Sequence, residues 1–592
     1  SPGYGASWPS YFGSIAMTYE QASARGLVVR QYDGNDLTYP YAIRNHFVTS
    51  LATAEVTAAN REKFLSDFYD YQLSAIEQGE KDSIRSYLLP TQTDQAAVNK
   101  LAGLLVSQGV EVGRASASFD ACGTSYTAGT YVINTGQQSK RFIRTLMDVY
   151  VPMDDSFLAE QERRRAKNLP DEIYDVTAWS LPLMMNVQVD TCNRSVNGQF
   201  TAAGPNLVQP GTVSRGNGTV GYLVPWGAAP AIRLLVNAMR QGLTVKSSDL
   251  AFTHNGERYS AGTLIIDAAD NPAALPDIIN GLAETTGASV TSVDDSWVTD
   301  GPNFGSSNVV RFNQPRVAIV WDEPTSPYSA GNTRFVIERQ FDLPVTAIRT
   351  AQLINSDLSR YQVLILPQSG RHQGYTDVLG KKGTANLKNW VKKGGVLIGI
   401  GNANRYLADP NVDFLSIRRE NAVIEGDRKD GTQSANGKAA EEKNKDLTVE
   451  GSYLSDQSAY QASIAPEKDS PDPVAGVLIR ADVDPDHWLG AGVASTLNVL
   501  AGGSDIYTPL KLDKGVNVAV FRAEDDLLAS GYLWEQNRKQ LAYKPFVVAQ
   551  PSGKGYVIGF TQDPNVRAYL DGLNTIFMNA ILRGSAHARP VR

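Results

Sequence analysis

From Ser14 to Glu20 apolar and polar positions alternate, with Ile15, Met17 and Tyr19 on one side and Ser14, Ala16, Thr18 and Glu20 on the other. A period of two predicts a strand. From Pro40 the period lengthens. Ile43, Phe47, Leu51 and Ala54 stand at helical spacing, and Pro40 suits a first helical turn because the N–H it lacks would have no partner there.

One pattern then occurs twice. Tyr87-Leu88-Leu89-Pro90 returns as Tyr222-Leu223-Val224-Pro225, and Gly109-Val110-Glu111-Val112 as Gly242-Leu243-Thr244-Val245. Phe119 and Phe252, Tyr126 and Tyr259, and Ala128-Gly129-Thr130 and Ala261-Gly262-Thr263 share the offset of the glycines. Each copy reads strand, helix, glycine, strand and a later strand, which predicts a duplicated α/β unit with a parallel crossover, about 84–148 and 219–283. Gly109 and Gly242 are expected to close equivalent helices in left-handed conformation. Residues 204–218, rich in Gly, Pro, Asn and Ser, read as a surface connection.

A third region opens at Pro315. Val317 to Trp321, Val363 to Leu366 and Val396 to Ile400 are short apolar runs, and Leu387 to Lys393 reads as helix before Gly394-Gly395. This alternation predicts an open parallel sheet. The charged stretch of about 420–445 reads as a solvated insertion, strand-like sequence resumes after Val474, and a helix is expected near Gly572 to Leu582. The fold class is α/β throughout. The expected domains are 1–80, a duplicated middle of 81–305, and 313–592.

Composition narrows the function classes. With 55 basic and 62 acidic side chains the net charge is −7, which offers no global attraction to nucleic acid or an anionic membrane. No apolar run is long enough to span a bilayer. Two cysteines, Cys122 and Cys192, leave two readings open, one disulfide or two inert core thiols.

Chemistry concentrates at the start of the chain. Glu20 ends the alternating stretch beside small neighbours, the open setting that a general base requires. Tyr4-Gly5-Ala6-Ser7-Trp8-Pro9 followed by Gly13-Ser14-Ile15-Ala16-Met17-Thr18-Tyr19-Glu20-Gln21 resembles the last catalytic segment of zinc carboxypeptidases of the carboxypeptidase A type. Leu37-Thr38-Tyr39 and the helix through Ile43, Arg44, His46 and Leu51 resemble a large bacterial branch with an added glutamine-amidotransferase-like domain. The resemblance implies that residues 1–80 close a carboxypeptidase-like domain. It also implies hydrolysis of a peptide or amide substrate by zinc-activated water, with Glu20 as general base and Tyr4, or Tyr11, touching substrate. Relatives of this type imply a periplasmic or secreted protein. The family's zinc ligands, a His-x-x-Glu pair and a second His, lie upstream of this glutamate, and no His precedes Glu20 here. The expectation is a chain truncated at its N-terminus that holds no zinc and is inactive alone. The alternative is a catalytically inert protein that binds peptide or cell-wall material.

The remaining candidates read as structural. His46, His254 and His372 are isolated, and Asp484-Pro485-Asp486-His487 reads as a capped turn before it reads as a cation site. The third region resembles a class I glutamine-amidotransferase-like, flavodoxin-like domain. Its expected nucleophile turn reads Gly401-Asn402-Ala403-Asn404, with no cysteine, and Gln562-Asp563-Pro564 stands where a His-Pro-Glu type element is sought. Without that triad the domain is expected to be non-hydrolytic.

Overall fold

The computed structural model describes residues 2–167, 169–207, 209–214, 216–370, 374–423, 456–457 and 470–589. Its N-terminal part carries two long helices, α1 (Tyr39–Ala59) and α2 (Arg61–Lys81), and a two-stranded ribbon, Val28–Arg30 with Asp36–Thr38. The Thr38 hydroxyl caps α1 by accepting from the Tyr41 N–H at 3.3 Å, and Pro40 occupies its first turn. Residues 14–20 do not form the strand that their alternation predicts. A strand needs a neighbour for its backbone groups, and among the described residues none pairs with this stretch.

Helix α2 ties this part to the rest. Gly79 sits so close to Thr135 that a Cβ would lie 2.0 Å from the Thr135 carbonyl oxygen. Arg141 stacks over the Tyr71 ring at 4.1 Å and donates to the Tyr71 carbonyl at 2.9 Å.

The first α/β unit contains β1 (Ser86–Leu89), α3 (Gln95–Ser107), β2 (Gly113–Ala115), β3 (Tyr131–Asn134), β4 (Asp190–Cys192) and β5 (Phe200–Ala202). Its sheet order is β4-β1-β3-β2-β5. The second contains β6 (Gly221–Val224), α4 (Ala229–Arg240), β7 (Lys246–Ser248), β8 (Leu264–Asp267), β9 (Val290–Val293) and β10 (Val309–Arg311), in the order β9-β6-β8-β7-β10. Val213–Ser214 adds in parallel to β9 at the sheet's edge. The two orders are equivalent strand for strand, and so is the register. Tyr87 opposes Ile133 as Tyr222 opposes Ile266, and Gly113 opposes Val132 as Lys246 opposes Ile265.

The adjacent parallel crossover expected from sequence is corrected. β1 and β2 are each antiparallel to β3, which lies between them, and β6 and β7 stand in the same relation to β8. Each α/β crossover is therefore split by the later strand. Gly109 and Gly242 both take φ of +81° after α3 and α4. Phe119 stacks on Tyr126 and Phe252 on Tyr259, both with centroids 5.3 Å apart.

The C-terminal region forms one large mixed sheet. Its strands are β11 (Val317–Trp321), β12 (Val345–Arg349), β13 (Val363–Leu366), β14 (Val396–Ile400), β15 (Val474–Val483), β16 (Thr496–Gly503), β17 (Val516–Phe521), β18 (Pro545–Ser552) and β19 (Gly555–Phe560). The order is β12-β11-β13-β14-β19-β18-β17-β15-β16, with Leu528–Ser530 also on β15. The first five are parallel, and of these β11, β13 and β14 carry the continuous apolar runs that led to that expectation. The rest are antiparallel, which corrects the fully parallel expectation. Helix α5 (Tyr375–Lys392) packs on this sheet, and α6 (Asn574–His587) closes it. Most of the charged stretch of 420–445 lies outside the described residues, as does His372.

One hydrophobic core runs from the second α/β unit into the C-terminal sheet, joining residues such as Tyr222, Leu235 and Ile266 to Ile319, Ile398 and Phe577. The first unit has its own core around Tyr87, Leu101 and Ile133. Helix α6 fixes the joint between the first two. Asn579 accepts from Trp226 Nε1 at 2.9 Å, and the fully buried Arg583 donates to Ser247 Oγ at 2.8 Å and to Asp249.

Cys122 and Cys192 form a disulfide with Cα atoms 5.8 Å apart. Cys122 sits at the tip of the hairpin Phe119–Ala121/Thr124–Tyr126, and β4 carries Cys192 alongside β1.

Candidate functional site

Glu20 lies in an irregular stretch along α1. Its neighbours are fixed to that helix: Tyr19 Oη lies 3.0 Å from Thr53 Oγ1, and Asn45 Nδ2 donates to Gln21 Oε1 at 2.6 Å. Glu20 between them is exposed. Tyr4 packs elsewhere. Its ring lies 6.3 Å from that of Tyr174, beside the Asp175–Arg567 ion pair of 2.7 Å. Tyr11 packs toward Phe142, with ring centroids 6.0 Å apart.

The histidines do not assemble a metal site. His46 is exposed on α1. His254 is buried, with Nε2 3.0 Å from the Asp295 carbonyl oxygen. His487 Nδ1 accepts from the Leu489 N–H at 3.2 Å, Asp484 accepts from the Asp486 N–H at 3.0 Å, and burial holds the His487 imidazole down to about 4. These are the capping bonds of a turn. Among the described residues, no group of three His, Cys, Asp or Glu is placed to hold a metal ion, so those residues do not fit zinc by themselves.

A second candidate is the carboxyl edge of the parallel strands, where open α/β sheets place their ligands. The residue after β14 is Gly401, with φ of +54°, and a Cβ there would lie 2.7 Å from the Gln368 side chain. Gln368 Nε2 donates to Asp563 Oδ2 at 3.1 Å, and Ser329 Oγ donates to the same oxygen at 2.7 Å. The Asn565 N–H donates to Asp563 Oδ1 at 2.8 Å. Burial pushes the Asp563 carboxyl above the usual carboxylate range, against these hydrogen bonds. The sharp turn after the strand is present, but Gln368 fills the space above it, and neither cysteine is near the thiolate position that acyl transfer requires.

The third candidate is a cleft of about 1880 Å³ where both α/β units meet the C-terminal region. Lys100 on α3 and Arg233 on α4 line it, together with Asp94, Asp342 and Asp571. Lys100 pairs with Asp571. Arg233 has no ion pair within 4 Å among the described residues, and its guanidinium donates to the Thr286 carbonyl at 3.3 Å. Sequence reading passed over both cations because a charge on an amphipathic helix ordinarily marks its solvated face. The repeat held the signal: counted back from Gly109 and Gly242, Lys100 and Arg233 occupy the same position.

No protein-family model matches this chain, and no curated protein does. Among solved structures, a ThuA-like protein from Bacteroides uniformis ATCC 8492 is 11% identical with a TM-score of 0.27, over 45% of this chain and 90% of that one. A glutamine amidotransferase from Thermotoga maritima is 10% identical with a TM-score of 0.26, over 45% of this chain and 99% of that one. A beta-galactosidase from Bacillus circulans sp. alkalophilus is 11% identical with a TM-score of 0.24, and the likeness covers 46% of this chain and 31% of that one.

Proposed function

We infer that this chain belongs to a zinc carboxypeptidase-like protein that hydrolyses peptide or amide bonds, with Glu20 as its general base and the α/β regions as a non-hydrolytic recognition platform. The observation that carries this reading is the uncovered state of the segment around Glu20. Helix α1 has no buried residue. Its exposed Tyr39, Tyr41, Ile43, Phe47, Val48, Leu51 and Val56 spread over roughly 260° of the helix circumference at 100° per residue. Arg44, Asn45, Ser50 and Glu55 are interspersed among them, yet this many exposed large apolar side chains on one helix mark a surface for other polypeptide. Beside it, Ile15, Met17 and Tyr19 are exposed in a strand-like alternation that lacks a sheet. A polypeptide that supplies both a sheet edge and the zinc ligands would cover these residues and leave Glu20 at its margin.

The chemistry assigned to this chain is limited to its own residues. A carboxylate at position 20 can accept a proton from water, and the bonds of Tyr19 and Gln21 to α1 restrict its swing. No metal step is assigned to the described residues, among which no ligand set for zinc assembles. The disulfide favours an oxidising compartment, consistent with a periplasmic or secreted protein.

The test is Glu20→Gln in the protein assembled with its zinc-binding region. Loss of a general base lowers turnover by ~10²–10⁴-fold, with bound zinc unchanged. Near-normal turnover would remove Glu20 from the mechanism. The competing reading is an inert peptide- or cell-wall-binding protein. It predicts no turnover in the assembled wild type.

A further inference from the structure

The duplication places two cations in one cleft. α3 and α4 are equivalent helices, and Lys100 and Arg233 stand at equivalent positions on them. Their surroundings have diverged. Lys100 is neutralised by Asp571, whose other carboxylate oxygen accepts from Asn574 Nδ2 at 3.3 Å. Arg233 is partly buried and, among the described residues, keeps most of its donors without a protein acceptor. A guanidinium has five N–H donors in a planar fork, and withdrawing it from water without a paired anion is costly. That cost is offset when a planar anion enters the cleft.

The neighbouring charges select the anion. Asp94, Asp342 and Asp571 all act on Arg233 through space, although burial is the larger influence and lowers its basicity. Over the whole cleft five carboxylates (Asp94, Asp249, Asp342, Asp486 and Asp571) face four cations (Lys100, Arg233, Arg258 and Arg339), a small excess of negative charge. A phosphate or a dicarboxylate would meet repulsion, whereas one carboxylate carried beside an ammonium would match both signs. Asp94 accepts from the Ala97 N–H at 3.1 Å and Asp342 from Asn237 Nδ2 at 3.2 Å. Each carboxylate retains lone pairs for a further donor.

We propose that this cleft binds a small zwitterion of the amino-acid or short-peptide class, with its carboxylate on Arg233 and its ammonium toward Asp94 and Asp342. The site is separate from Glu20 and stands whether or not that residue is a general base.

Ligand-observed NMR titration of the full chain tests this with four probes: glycylglycine, N-acetylglycine, glycinamide and inorganic phosphate. Glycylglycine should bind saturably. N-acetylglycine and glycinamide, each lacking one charge, should bind more weakly, and phosphate more weakly still. Arg233→Gln should weaken glycylglycine binding by about tenfold or more through loss of the charge-assisted fork, and Arg233→Lys by less. Unfolding midpoints of both variants report whether the fold is kept. If neither folds, the ranking of the four probes on the wild type decides. Absence of saturable glycylglycine binding, phosphate binding tighter than glycylglycine, or an unchanged affinity in folded Arg233→Gln overturns the proposal.

Discussion

The duplication supplies paired positions at which the same substitution should cost the same in one case and very different amounts in another. Gly109 and Gly242 share φ of +81°, and no atom lies within 4 Å of where a Cβ would stand at either. Alanine there meets only the backbone penalty of the left-handed region, about 1–2 kcal/mol. The two costs should agree. Gly129 and Gly262 are also equivalent, with φ of +96° and +95°. At Gly129 the nearest atom is Thr91 Cγ2 at 3.4 Å, an ordinary contact. At Gly262 a Cβ would lie 2.6 Å from Trp226 Cδ1 and 3.0 Å from its Cβ. Trp226 cannot retreat easily, because it is buried and its Nε1 is bonded to Asn579. Overpacking of this kind adds about 1–3 kcal/mol, so Gly262→Ala should cost about 2–5 kcal/mol in all. Urea unfolding of the four alanine variants, compared at matched slope, measures the differences. The reasoning fails if Gly262→Ala is no worse than Gly129→Ala, or if Gly109→Ala and Gly242→Ala differ by more than about 1 kcal/mol.

Three further outcomes are expected. Replacing Cys122 and Cys192 with Ser should destabilise the first unit by about 4 kcal/mol through the chain entropy of a loop closed over a separation of 70 residues; an unchanged thermal midpoint refutes this. His487 is held near 4 against an ordinary 6.5, so below pH 6.5 the unfolded chain takes up a proton that the folded chain refuses. Its contribution is complete above pH 6.5 and is lost as the pH falls toward 4, at up to about 1.4 kcal/mol per pH unit. His487→Asn, which keeps an acceptor for Leu489, should flatten that slope in urea midpoints measured from pH 7 to 4.5, and an identical slope in both proteins counts against it. The C-terminal region should not hydrolyse glutamine, since neither cysteine offers a free thiol at the Gly401 turn; ammonia released from glutamine by the purified chain would contradict that reading.

Sequence made the parallel strands legible because strands covered on both faces are continuously apolar, as in Val317–Trp321 and Val396–Ile400. It made the duplication legible through Gly109 and Gly242, whose left-handed angles demand glycine. What it did not convey depends on pairing. The period of two in Ser14–Glu20 reports a strand's side-chain alternation but says nothing of whether a partner strand is present. The insertion of β3 between β1 and β2, and the meeting of Cys122 with Cys192, arise from contacts far apart in the chain. Arg233 was hidden for a different reason. A cation on a helix reads as solvated until the opposing helix and Asp342 enclose it.

Helix α6 has an implication for biosynthesis. It is buried continuously from Ile576 to Gly584, and it inserts Arg583 and Asn579 against groups of the second α/β unit. That unit's own strands are complete by Arg311. On a ribosome adding about 5–20 residues each second, the interval before α6 emerges is of the order of tens of seconds. Throughout it, the apolar surface around Leu235 and Ile266 waits for the last segment made. A product truncated before Asn574 would lack the helix that covers this surface and should be prone to aggregation.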